Sequence, residues 1–166
     1  MVGVRQKSHM DNSQTGLAGE FYTLAQLTQR GCIATLTLGN TKGVDILVTN
    51  QELNKLYKVE VKTTQLKPRR ESLFGKELMY MWPMNAKHEN IVDQNLLYCF
   101  VVLSSPDEQP AFFIVPSESV AKYVKWQHQH WINSRKKKVQ ATKMRRFRIE
   151  LSDPNKFKNN WSVFQK

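Results

Sequence analysis

Two β-branched runs, Gly43-Val44-Asp45-Ile46-Leu47-Val48 and Tyr57-Lys58-Val59-Glu60-Val61-Lys62, constrain this chain more than any other feature. Each sets an acidic residue among strand-forming neighbours, where a charge is costly unless something offsets it. In the second run a period of two places Lys58, Glu60 and Lys62 on one face and Tyr57, Val59 and Val61 on the other. Asn50 to Lys55 is polar and turn-like, so the runs fold back as a hairpin. With the turn centred between Glu52 and Leu53, Asp45 stands directly across from Glu60. Opposed carboxylates on adjacent strands repel, and a divalent cation between them would remove the repulsion. Asp45 and Glu60 are hard oxygen donors of the type Mg2+ selects, with Mn2+ as a substitute. Lys62, on the same face as Glu60, is placed to hydrogen-bond a water or to offset phosphate charge.

An Asp followed some fifteen residues later by Glu-x-Lys resembles the PD-(D/E)XK nuclease superfamily. The motif reads Gly43-Val44-Asp45 and Glu60-Val61-Lys62, without the proline before the aspartate. Upstream, Gly16-Leu17-Ala18-Gly19-Glu20-Phe21 supplies the helical glutamate that members tend to carry. Leu96 to Leu103, Ala111 to Val115 and the helix after Pro116 follow in the expected order, so the resemblance spans roughly residues 14 to 133.

The resemblance implies an α/β fold with a restriction-endonuclease-like core of αβββαβ type, a central mixed β-sheet flanked by helices. It implies a Mg2+-dependent endonuclease hydrolysing DNA, with Glu20, Asp45, Glu60 and Lys62 at the catalytic site. The metal ligands would be Asp45, Glu60 and the backbone carbonyl of Val61, with Glu20 completing the shell directly or through water. Small stand-alone members include Holliday-junction resolvases and homing endonucleases. Cutting two strands with one site per chain calls for a homodimer or a higher oligomer.

Charge agrees with a polyanionic partner. Lys and Arg number 25 against 14 acidic residues, a net charge of +11, with a pI near 9.8. The alternative to catalysis is a non-catalytic nucleic-acid-binding protein on the same fold, and RNA remains open as a ligand. No run of eighteen apolar residues could span a bilayer, and residues 1 to 8 lack the apolar stretch of a signal peptide. Cys32 and Cys99 lack metal-type spacing and read as reduced and buried, in keeping with a cytoplasmic protein. The four histidines show no zinc-like spacing.

Residues 1–13 read as a disordered tail and 14–166 as one domain with a basic C-terminal extension. A helix is expected from about Thr15 to Arg30, closed by Gly31, with an inward stripe of Leu17, Phe21, Leu24, Ala25 and Leu27 that carries Glu20 toward the sheet. Ile33 to Leu38 reads as a strand. The apolar run Val44 to Val48 is read as too apolar for a strand open on one side. Between residues 65 and 90, Lys67, Arg69 and Arg70 are expected to contact nucleic-acid backbone, while Tyr80 and Trp82 fit a short core strand. Leu96 to Leu103 reads as a central strand covered on both faces. Ser117 is expected to cap a helix ending near Asn133. The basic tract Arg135, Lys136, Lys137, Lys138, Lys143, Arg145, Arg146 and Arg148 is expected to form a phosphate-contacting edge, joined by Lys42 from the Gly39-to-Gly43 turn. Phe157, Trp161 and Phe164 are expected to dock a final short helix.

Overall fold

A computed structural model describes residues 10–38, 43–50, 52, 55–135, 140 and 142–165. Helix α1 (Asn12–Gln29) is followed by strands β1 (Ile33–Leu36), β2 (Ile46–Asn50) and β3 (Lys55–Thr64). After them come β4 (Arg69–Arg70), β5 (Leu78–Asn85), a 3₁₀ turn (Ala86–Glu89), β6 (Leu96–Val102) and β7 (Ala111–Pro116). Helix α2 (Ser117–Asn133), β8 (Met144–Glu150) and a second 3₁₀ turn (Trp161–Gln165) complete the described chain. The first helix begins before residue 14, within the segment expected to be a tail. Asp11 caps α1, accepting from the Gln14 N–H at 2.8 Å, while Gln14 answers the Asp11 N–H at 3.0 Å. At the other end Gly31 takes φ +81°, the left-handed conformation that favours glycine after a helix.

Five strands form a mixed sheet in the order β1-β2-β3-β6-β7, in which only β3 and β6 run parallel. In the αβββαβ order a helix makes the parallel crossover from the third strand to the fourth. Here β4, β5 and the first 3₁₀ turn make it, and β4 and β5 join β8 in a second, three-stranded sheet. Every residue of β6 is buried. Leu97, Cys99 and Val101 face a cluster with Leu27, Val59, Trp161 and Phe164, and Tyr98, Phe100 and Val102 face one with Trp82, Phe147, Val120 and Val124. The near-continuous apolar run is therefore the signature of a strand with both faces covered. Trp82, as expected, is a core residue, and its indole N–H donates to the Val101 carbonyl at 3.0 Å.

Three expectations are corrected. First, β2 is open on one face: Ile46 and Val48 are buried, but Leu47 and Thr49 are only half-buried, and the cross-strand neighbours of Thr49, Ile33 and Leu56, are exposed. Alternation within an apolar run satisfies a one-sided strand as well as a two-sided one. Second, Ser117 does not cap α2. Its hydroxyl donates to the Asp93 carbonyl at 2.8 Å and accepts the Asp93 N–H at 2.9 Å, pinning the loop before β6 instead.

Third, α1 faces the sheet with Thr15, Gly19, Thr23 and Leu27, not with Leu17 and Phe21. The reason is close approach. A Cβ on Gly19 would fall 1.9 Å from Thr63 Oγ1 and 2.9 Å from Thr63 Cβ. Thr23 Oγ1 bonds back to the Gly19 carbonyl at 2.8 Å and lies 3.4 Å from Cys99 Sγ. Small residues let the helix sit against β3, and larger ones could not. Gly19→Ala should therefore destabilise the fold by about 1–3 kcal/mol through overpacking, although helix propensity alone would favour alanine by about 1 kcal/mol. Chemical denaturation decides between the two signs, and adding Thr63→Ala should recover part of the loss.

Cys32 and Cys99 are buried free thiols. No helix among the described residues is long and apolar enough to cross a membrane.

Candidate metal and phosphate site

The β2–β3 hairpin pairs Ile46 with Val59 and Asn50 with Lys55. One step beyond Ile46, that register sets Asp45 across from Glu60. Asp45 lies just before the strand, but its backbone is held on both sides: its N–H donates to the Val59 carbonyl at 2.8 Å and its carbonyl accepts the Thr37 N–H at 2.9 Å. Its Oδ2 accepts the Val61 N–H at 2.6 Å. In an extended strand the N–H and carbonyl of one residue point to the same side, so the Val61 carbonyl also faces the Asp45 edge.

Glu60 is 2% exposed and crowded on one oxygen only. Oε1 takes Lys62 Nζ at 2.7 Å and His88 Nε2 at 3.3 Å, whereas Oε2 is buried with no hydrogen-bond partner. Burial disfavours the Glu60 charge, yet the His88 hydrogen bond and Lys62 outweigh it and hold the carboxyl at about 2. A carboxylate only accepts, so His88 Nε2 carries a proton. His88 Nδ1 lies 3.1 Å from the Asn85 N–H and 2.9 Å from the Asn85 carbonyl, so Asn85 fixes the ring in either charge state. Beside Glu60 in the parallel register stands Tyr98, whose buried hydroxyl interacts with the Glu60 carboxylate without a hydrogen bond of good geometry. Burial and then the Glu60 charge drive its pKa upward, so it stays a neutral phenol.

The other two carboxyls behave oppositely. Burial raises Asp45, against the Val61 N–H and Lys62. Burial and then the Asp45 charge raise Glu20, against Lys62. Three acidic groups thus share one electrostatic neighbourhood around one lysine, with Lys87 as a more distant cation that Asp45 feels.

The residues fit a hard divalent cation. A buried carboxylate oxygen with no donor is costly, and Glu60 Oε2 lies so near Gly43 that a Cβ there would already touch it at 3.5 Å. Gly43 also has φ +74°, so a side chain there would be strained. Among the described residues no three His, Cys, Asp or Glu side chains form a metal-holding group. That argues against a closed all-protein cage and against Glu20 as a third close ligand. Mg2+ needs neither, since it is commonly held by one or two carboxylates and retains several waters.

The basic candidates fall elsewhere. Lys67, Arg69 and Arg70 are exposed, the two arginines on the short edge strand β4. Arg135 is exposed, its guanidinium 4.7 Å from the Trp131 ring centroid. Arg146 is half-buried, with its N–H on Gln127 Oε1 at 3.1 Å. Arg145 is not a free phosphate contact: it is 7% exposed and ion-paired with Glu89. Arg148 is likewise 5% exposed and bound to Glu71 through Nε at 2.9 Å and Nη2 at 2.6 Å. Lys42, Lys136, Lys137 and Lys138 lie outside the described residues. His88 and Tyr98 were not among the residues singled out from sequence. Only the Asn85-to-His88 spacing of a reciprocal cap gives a local hint of the first.

No protein-family model matches the chain, and no curated protein matches it. Among solved structures, the fold is similar to that of a bacterial homing endonuclease, I-Ssp6803I. The alignment covers 95% of this chain and 94% of that one, with a TM-score of 0.58 and 13% identity. At that identity the likeness establishes the fold alone.

Proposed function

We propose that this chain is a metal-dependent endonuclease of PD-(D/E)XK type that hydrolyses phosphodiester bonds in DNA. The observation that carries the reading is the facing pair Asp45 and Glu60, with Lys62 at 2.7 Å and one Glu60 oxygen buried without a donor. The shared fold with a homing endonuclease and the +11 charge support it. Asp45, Glu60 and the Val61 carbonyl would hold Mg2+ or Mn2+. When bound, such an ion neutralises charge on the phosphate oxygens and makes water more acidic.

The protein's own groups do the rest. His88, itself held by Asn85, shares Glu60 Oε1 with Lys62 and leaves Oε2 without a donor. Lys62, 28% exposed at its side chain, is the solvent-accessible partner of that buried carboxylate. Its ammonium can donate to an attacking water or to a non-bridging phosphate oxygen. Glu20, half-buried and raised by burial and by Asp45, can hold a proton or a water at the rim. Arg146, Arg135 and the β4 arginines are candidate backbone contacts that position DNA without reading its sequence. Cutting both strands of a duplex calls for a second copy of the chain.

The test is cleavage of a panel of supercoiled plasmid, linear duplex, four-way junction, single-stranded DNA and RNA, with Mg2+, Mn2+ or EDTA. Metal-dependent cutting of DNA that Asp45→Ala abolishes is expected. Binding without cutting on every member, insensitive to Asp45→Ala, would instead identify a nucleic-acid-binding protein on a nuclease fold.

A further inference from the structure

Helix α1 leaves the N-terminal part of its apolar stripe outside the core. Leu17 and Phe21 are 51% and 52% exposed, and Ala25, one turn further, is exposed as well. Two positions along a helix is about 200° of rotation, so this ridge stands nearly opposite the buried Thr15, Gly19 and Thr23. While Leu24 and Leu27 pack on the core, the ridge of Leu17, Phe21 and Ala25 meets water and leaves an apolar face open to a partner.

Charge identifies the partner. The chain carries +11, yet residues 12–29 contain no Lys or Arg and a single acidic residue, Glu20. A nucleic acid or an anionic membrane surface would find no cation there to engage. Two copies of a strongly basic chain repel one another unless they meet on uncharged surfaces, and α1 supplies one. We propose that α1 is the self-association surface of this protein. It pairs with α1 of a second copy across a two-fold axis, with the Leu17, Phe21 and Ala25 ridges in contact. Such an isologous contact buries the same ridge on both chains and closes at two. Self-association through α1 stands whether or not the chain cuts DNA. What rests on the nuclease reading is the consequence, two cleavage centres on one duplex, each with its Glu20 on an interface helix.

The experiment is sedimentation of the intact chain, free of nucleic acid, across a concentration series. The wild type should reach twice the 19.4 kDa chain mass. Phe21→Lys and Leu17→Glu should each raise the dissociation constant roughly ten-fold or more, with an unchanged circular dichroism spectrum, because both side chains are half exposed. Phe21→Cys should give an oxidant-dependent covalent dimer, since the native Cys32 and Cys99 are buried. A wild type that stays at single-chain mass at every concentration would overturn the proposal, as would a Phe21→Lys variant that folds and still dimerises undiminished. On supercoiled plasmid, dissociated variants should nick but no longer linearise. A dimeric wild type that cuts nothing would refute the nuclease reading and leave the interface standing.

Discussion

Asp45→Asn should yield a protein that is more stable than the wild type without metal and that no longer cuts DNA. The substitution keeps a side-chain oxygen for the Val61 N–H, now at 2.6 Å, and removes only the charge. In the metal-free wild type that charge is held against burial and against Glu60, which raise the Asp45 pKa. An acid whose folded pKa is raised favours the folded state only when protonated, so at neutral pH its ionisation subtracts stability. Asparagine lifts that penalty. The expected gain is roughly 2–4 °C in Tm at neutral pH, the shift that about 1 kcal/mol makes in a domain of this size. It should vanish as pH falls below the ordinary carboxylate range, where aspartic acid in the folded and unfolded chains is already neutral. Adding Mg2+ should raise the Tm of the wild type but not of Asp45→Asn, and cleavage should fall by roughly a thousand-fold. Glu60 titrates in the opposite sense. Its carboxyl, held at about 2 by His88 and Lys62, contributes stability above the ordinary carboxylate range that is lost as pH falls toward 2. An acid denaturation series therefore separates the two carboxylates.

Arg148→Ala should cost about 3 kcal/mol of stability, the scale for breaking a buried ion pair from one side. Arg146→Ala should cost less than about 0.5 kcal/mol, as surface substitutions usually do. The two residues are two apart on β8 and chemically identical, but the guanidinium of Arg148 is committed inward. It binds Glu71 through two nitrogens and lies 3.9 Å from the Phe74 ring centroid. Removing it strips Glu71 Oε2 of both its hydrogen bonds, leaves only the more exposed Arg69 at 3.5 Å from Oε1, and loosens the 71–75 loop from β8. Phe74 also packs edge-on against Trp126 and His130 of α2, so the loosening should spread to the helix. On DNA the ranking reverses. Arg146→Ala should reduce the slope of log affinity against log salt by about 1. Arg148→Ala, measured where it remains folded, should leave that slope unchanged.

The hairpin that carries the candidate site was legible because its determinants are local. Period-two alternation and a turn centred near Glu52 are enough to set Asp45 opposite Glu60, and the observed register does so. The doubly covered β6 and the docked Trp161 and Phe164 were legible for the same reason, as short apolar patterns bounded by turns. The roles of the arginines were not. The acidic partners of Arg145 and Arg148 lie 56 and 77 residues away, and a run of positive charge reads alike whether it faces water or carboxylates. Helix α1 misled for a different reason. Its inward face was selected for smallness, by the approach of Gly19 to Thr63, while apolar periodicity weighs only size and hydrophobicity. His88 escaped notice because it bonds Glu60 from 28 residues away, and no spacing rule within either segment links the two.

The most direct test of the central claim is Mn2+ binding to the intact protein, followed by calorimetry or electron paramagnetic resonance. Wild type should be compared with Asp45→Asn, Glu60→Gln and Arg146→Ala. Binding by wild type and Arg146→Ala that is lost in both carboxylate variants is the result expected of a site built on Asp45 and Glu60. Undiminished Mn2+ binding in Asp45→Asn and Glu60→Gln, or none in the wild type, would contradict it.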